Sequence, residues 1–148
     1  MSAEIDTLLN NLVGQHIRFV QVSGQLDPSK RERAGVCGEW SPRQVIAHLA
    51  GWDHSLNRFI SDPASFIPPG DIDGFNAASV SDREHQSWAE SLTELQDGMN
   101  SLQAAVSTVT TELKIYPRVE AWLQGRSADY ELHTGQLAVW IEGSGSGT

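Results

Sequence analysis

The chain has 148 residues, 19 acidic and 10 basic, for a formal net charge of −9. This length suits one domain that buries its own core, and 39% hydrophobic with 20% charged residues is the balance of an ordinary globule. The acidic excess excludes a nucleic-acid binder, because neutralising phosphates takes clustered Lys and Arg. With Cys37 the only cysteine, an internal disulfide and a cysteine-rich zinc site are excluded too. No apolar run approaches the roughly 18 residues of a membrane span. The opening Met1-Ser2-Ala3-Glu4-Ile5-Asp6 lacks the basic and apolar regions of a signal peptide, so the expected location is cytoplasmic.

Helical periodicity dominates, and no segment keeps strand alternation. The first predicted helix runs from about Ala3 to Gln25, with Ile5, Leu8, Leu9, Leu12, Val13, Phe19 and Val20 on one stripe and His16 inside it. A loop with Asp27-Pro28, Gly35 and Gly38 follows. The second helix has the clearest start: Ser41 as N-cap, Pro42 at N1 and Gln44 as the capping-box partner. Its stripe is Val45, His48, Leu49, Trp52, Leu56, Phe59 and Ile60, and it stops near Asp62-Pro63. From Pro63 to Gly74, prolines and glycines predict a long crossover.

The third helix is expected from near Ser81, where Ser81 and Glu84 form a Ser-x-x-Glu box, with a heptad seam of Trp88, Leu92, Leu95, Met99, Leu102, Val106, Val109 and Leu113. Tyr116-Pro117 closes it, and Val119 to Gln124 reads as a short helical turn ended by Gly125. The fourth helix is expected from Ser127 to about Ile141, with Asp129, His133, Leu137, Trp140 and Ile141 on its stripe. The fold class is all-α, a four-helix bundle over residues 1–142 with a long connection between the second and third helices; 143–148 read as a flexible Gly/Ser tail.

The chemistry-bearing candidates are His48, inside the stripe of helix two, and the pair Asp129 and His133, four residues apart and so on one face of helix four. An aspartate on a core stripe is costly unless paired, hydrogen-bonded or metal-bound. Two histidines and a carboxylate converging on one point form a three-ligand metal set with an open position for a water or substrate atom. The bland alternative is a carboxylate favoured by the helix N-terminus and simply paired with His133. His16, Trp52 and Trp140 lie on core stripes and could wall a small-molecule pocket. Tyr130 is a weak candidate to polarise a substrate, packing being its ordinary role. His54, His85 and Asp53 are read as solvent-facing or off the stripe, and Cys37 as an inert thiol. Trp40 is expected to staple the start of helix two, and Trp122 to cover the bundle end.

The pattern Gly38-Glu39-Trp40-Ser41, continuing to His48-Leu49, resembles the helix-two signature of the DinB-like (YfiT-like) four-helix-bundle superfamily. Asp129-Tyr130-Glu131-Leu132-His133 resembles its helix-four signature, and Asp73-Gly74-Phe75-Asn76 looks like the ClbS/DfsB branch. The resemblance implies a metal site with one histidine from helix two and two from helix four. His48 and His133 match that pattern, while Asp129 stands where a histidine is usual. It implies a divalent metal (Zn, Ni, Mn or Fe), a low-molecular-weight thiol, a small-molecule substrate and a homodimer. Thiol-dependent S-transferase or hydrolase activity is the first expectation. A ClbS-like metal-independent resistance or detoxification protein is the second, and a non-catalytic binding bundle the third.

Overall fold

The structure, a computed structural model, describes residues 3–145. Five α-helices occur in the order α1 (Ala3–Ser23), α2 (Pro42–Ser61), α3 (Ile72–Ser81), α4 (Trp88–Val106) and α5 (Tyr116–Gly145). Among the described residues there is no strand, only an isolated bridge between Cys37 and Trp40. No helix there is long and apolar enough to cross a membrane. The fold is thus the expected all-α bundle of four long helices, with a fifth, shorter helix inside the crossover.

The long helices pair α1 with α5 and α2 with α4, while α3 lies on α2. Their stripes meet in one core: Ile5, Leu12 and Phe19 of α1, Leu49 and Leu56 of α2, Leu95, Met99 and Leu102 of α4, and Leu123 of α5 are all fully buried. Burial of each such side chain is worth about 1.5–3 kcal/mol, which is what fixes these helices in place. The α2 start forms as expected. Ser41 Oγ accepts the Gln44 amide at 3.2 Å, and Gln44 Oε1 accepts the Ser41 amide at 2.9 Å.

Three expected boundaries need correction. Ser81 does not open a helix; it is the last residue of α3, which Asp71 caps. The box that forms is Ser87 with Glu90, at 2.9 and 3.1 Å. Between Ser81 and Trp88 no apolar residue exists to be buried, so only the later box joins a stripe that packs. At its other end α4 stops at Val106, short of the seam's last members. Ser107 and Thr108 turn their hydroxyls onto the carbonyls of Ala104 and Ala105, at 2.6 and 2.7 Å, and compete with the helical ladder. Val109 still reaches the core, but Leu113 is 42% exposed.

The third correction concerns α5. Pro117 starts this helix instead of closing the one before, because the first turn has no use for its missing N–H. The helix then runs 30 residues without a break, through Gly125 and Gly135. Two helical glycines cost about 1 kcal/mol each, less than the burial of Val119, Leu123, Tyr130 and Leu137 returns. Gly143 to Gly145, the first half of the expected tail, belong to α5. The remainder of that tail, 146–148, lies outside the described residues.

The crossover is where the backbone approaches most closely. A Cβ on Gly51 of α2 would stand 2.3 Å from Ser79 Oγ of α3, a separation that real atoms do not tolerate. Glycine therefore lets α3 lie directly on α2, and α3 carries Asn76 to the face of α2 that presents His48.

Candidate metal centre

His48 comes from α2, and Asp129 and His133 come from adjacent turns of α5. One ligand atom from each lies within 4.8 Å of the other two. His48 Nε2 is 3.1 Å from Oδ2 and 3.3 Å from Oδ1 of Asp129, and His133 Nε2 is 3.1 Å from Oδ1. Both histidines are buried; the Asp129 side chain keeps 21% exposure, which leaves the cluster open on one side.

The opposite ring nitrogens define what the cluster can do. His48 Nδ1 lies 3.1 Å from Asn76 Oδ1, and His133 Nδ1 lies 2.8 Å from Gln136 Oε1. The Asn76 oxygen also accepts the Trp52 indole N–H at 2.6 Å, and an indole only donates, so this oxygen is the acceptor. A carboxamide oxygen cannot donate; each Nδ1 therefore carries the hydrogen. In the neutral rings both Nε2 lone pairs then point at a carboxylate. Lone pairs and anionic oxygens at this distance are held together by a cation between them or by added protons. The donor set, two imidazoles and one carboxylate with amide oxygens fixing the rings, fits a divalent metal.

A second polar cluster lies deeper between α2 and α5. Arg126 donates from Nε to Asp53 Oδ1 at 2.9 Å, from Nη1 to Asp129 Oδ2 at 2.5 Å and from Nη2 to the Leu49 carbonyl at 3.3 Å. Tyr130 gives its hydroxyl hydrogen to Asp53 Oδ2 at 2.5 Å, so its oxygen accepts from His16 Nδ1 at 3.3 Å. Burial and then the Asp53 charge push the Tyr130 hydroxyl well above its ordinary value. Burial works against the charged form of Arg126, but Asp53 and Asp129 outweigh it and hold the guanidinium protonated. Burial also opposes ionisation of Asp129, yet its close contacts with His133 and His48 and the Arg126 charge hold its carboxyl well below the usual range.

The structure thus brings His48, Asp129 and His133 together and distributes the other candidates elsewhere. A cavity of about 460 Å³ opens beside His48 and Asp129, with Trp52, Asn76, Trp122, Arg126 and Leu132 also in its wall; His133 lies behind Asp129, outside the lining. Trp52 stands in that wall; His16 and Trp140 do not. His16 is separated from the cavity by Tyr130 and Asp53, and Trp140 lies over Gly35 along a different groove. Tyr130 does not face a substrate either, since it is fully buried with its hydroxyl spent on Asp53. Trp40 packs its ring 5.0 Å from that of His48, and Trp122 packs on Phe59 and Phe66 in addition to lining the cavity. His54 and His85 are exposed, as expected.

Asp53 corrects a reading of the sequence: it is 1% exposed and ion-paired, not solvent-facing. The signal was present, since Asp53 lies four residues after Leu49 and three before Leu56, on the core stripe. Arg126 was hidden by the misplaced start of α5. With the helix continuous, Val119, Leu123, Arg126, Tyr130, His133 and Leu137 alternate steps of four and three, the seam on which Arg126 belongs. Asn76 and Gln136 carry no periodic signal for their role as histidine partners.

A helical bundle with a three-donor centre between two of its long helices is the class of protein that this fold and site define. The chain belongs to the family described as the mycothiol maleylpyruvate isomerase N-terminal domain, whose model matches residues 14–138, and so to the DinB-like superfamily. Among solved structures it is similar to the crystal structure of an uncharacterised protein from Escherichia coli UTI89. The TM-score is 0.80 with 18% identity, over 95% of this chain and 94% of the other. No curated protein matches.

Proposed function

We propose that this protein is a metal-dependent enzyme acting on a small molecule, of the thiol-dependent S-transferase or hydrolase type. His48, Asp129 and His133 hold a divalent ion of zinc, nickel, manganese or iron. The observation that carries this reading is the orientation of the two imidazoles, both with Nδ1 against an amide oxygen and Nε2 toward Asp129. When bound, such an ion supplies Lewis acidity to an oxygen or sulfur atom at its open position. The chain supplies the rest. Asn76 and Gln136 keep the rings from turning, Trp52 and Trp122 exclude water from one side of the cavity, and Leu132 offers an apolar surface at its mouth. These walls suit a substrate with an apolar body and one donor group. A low-molecular-weight thiol as co-reactant is supported by the family's name, which carries mycothiol. A homodimer in the cytoplasm completes the proposal; exposed Leu132 and Val139, two turns apart on α5, support an association face.

The test is elemental analysis by mass spectrometry on tag-free protein beside His48→Ala. Near-stoichiometric divalent metal in the parent, absent from the variant, is the expected result. No uptake after incubation with several divalent ions sinks the metal reading.

One observation favours a second reading, a ClbS-like metal-independent resistance or detoxification protein. The Arg126 guanidinium already balances the charge of Asp129 without an ion. His133 or Asp129 then serves as acid or base in the cavity, and metal-free protein retains its ligand-induced thermal shift.

A further inference from the structure

Arg126 is fixed from three directions, and only one of them faces the metal centre. Asp53 holds Nε and the Leu49 carbonyl holds Nη2, both from α2, while Tyr130 occupies the other oxygen of Asp53. The guanidinium is 4% exposed and the Asp53 carboxylate 1%, so water does not loosen either partner. The remaining arm, Nη1, meets Oδ2 of Asp129. Oδ2 also lies 3.1 Å from His48 Nε2, whereas Oδ1 lies 3.3 and 3.1 Å from the Nε2 atoms of His48 and His133 and has no guanidinium contact. A carboxylate on a two-bond stem otherwise turns freely and offers either oxygen or both.

We infer that Arg126 is a positioning residue for the metal centre: anchored by Asp53, it engages Oδ2 of Asp129 and so sets the carboxylate with Oδ1, the oxygen shared by both imidazoles, free of the guanidinium. This inference rests on the metal reading above and adds to it that the deep cluster sets the geometry of the open one. The competing account is a buried ion pair that only ties α2 to α5. Such a tie affects folding and leaves ion binding untouched once the protein is folded.

The measurement is Zn²⁺ affinity of the tag-free full chain by competition with a chelator, beside the visible spectrum of the Co²⁺-loaded protein. Two variants are used. Arg126→Met combined with Asp53→Asn removes both charges together and strands neither. Arg126→Lys keeps the charge opposite Asp53 but lacks the second arm, and it decides the matter if the double variant does not fold. Expected is a loss of affinity of about 10–100-fold, the usual effect of removing a partner of a ligand. The Co²⁺ bands should also weaken as the second oxygen of Asp129 is freed to coordinate. Folded variants with affinity within about twofold of the parent and an unchanged spectrum overturn the inference and leave the metal reading standing. A parent protein that binds neither ion overturns both.

Discussion

Two polar clusters bridge α2 and α5, built from similar materials to opposite ends. In the cluster of His48, Asp129 and His133, the first two line a cavity and the carboxylate keeps partial exposure. Asp53, Tyr130 and His16 are buried in the core, and Arg126, buried with them, reaches the cavity wall; Asp53 and Arg126 have their side-chain partners engaged. Asp129 is the joint between them: Oδ2 accepts from Arg126 and also stands beside His48, while Oδ1 stands between both imidazoles with no guanidinium contact. The difference teaches that burial of a charge does not by itself mark a reactive site. A closed cluster with satisfied partners stabilises; one with unsatisfied lone pairs beside open space is equipped to take a ligand.

The largest expected effect comes from breaking the closed cluster. Asp53→Ala leaves Arg126 Nε and the Tyr130 hydroxyl without their buried partner, with Asp129 the one carboxylate still on the guanidinium, and should cost about 3–5 kcal/mol of stability, read from urea unfolding. His48→Ala, in the open cluster, should cost less stability while abolishing metal uptake. If the two variants lose stability equally, the contrast between the clusters fails.

Gly51→Ala comes next. The added methyl meets Ser79 Oγ and forces α3 outward, at about 1–3 kcal/mol. Because α3 holds Asn76 against His48, this change outside the cavity wall should also weaken metal binding. An affinity equal to that of the parent breaks the link between α3 and the open cluster.

The smallest effect is a pH slope from the closed cluster. Burial lowers the pKa of His16 from its ordinary 6.5, with Asp53 partly offsetting. Below 6.5 the unfolded chain takes up a proton that the folded chain refuses. Stability therefore falls as pH drops from 6.5 toward the folded value and levels off below it. Comparing urea midpoints of the parent and His16→Gln across that window should show this component of the slope disappear in the variant. A slope unchanged by the substitution removes His16 from the account.

Much of the fold was legible because burial and capping act locally. The stripe of α2 and the Ser41 box are written in contiguous residues, and both form. The meeting of His48 with Asp129 and His133 followed from the superfamily resemblance and from two residues spaced one helical turn apart. Boundaries failed where two local signals competed. Ser81 and Ser87 both carry a glutamate three residues on, and only long-range packing of Trp88 chooses between them. Pro117 likewise suits the end of one helix and the first turn of the next. Asn76 was beyond reach because its partner is 28 residues away, on another helix.

The 30-residue length of α5 has a consequence for ion size. Asp129 and His133 ride on one uninterrupted rod, so their spacing is dictated by helical rise, about 6 Å along the axis for four residues. Their backbones cannot move apart to suit a larger radius, which leaves that adjustment to side-chain rotation. Only His48 stands on a separate support. At the level of the backbone the cluster therefore has one adjustable dimension, the distance between α2 and α5.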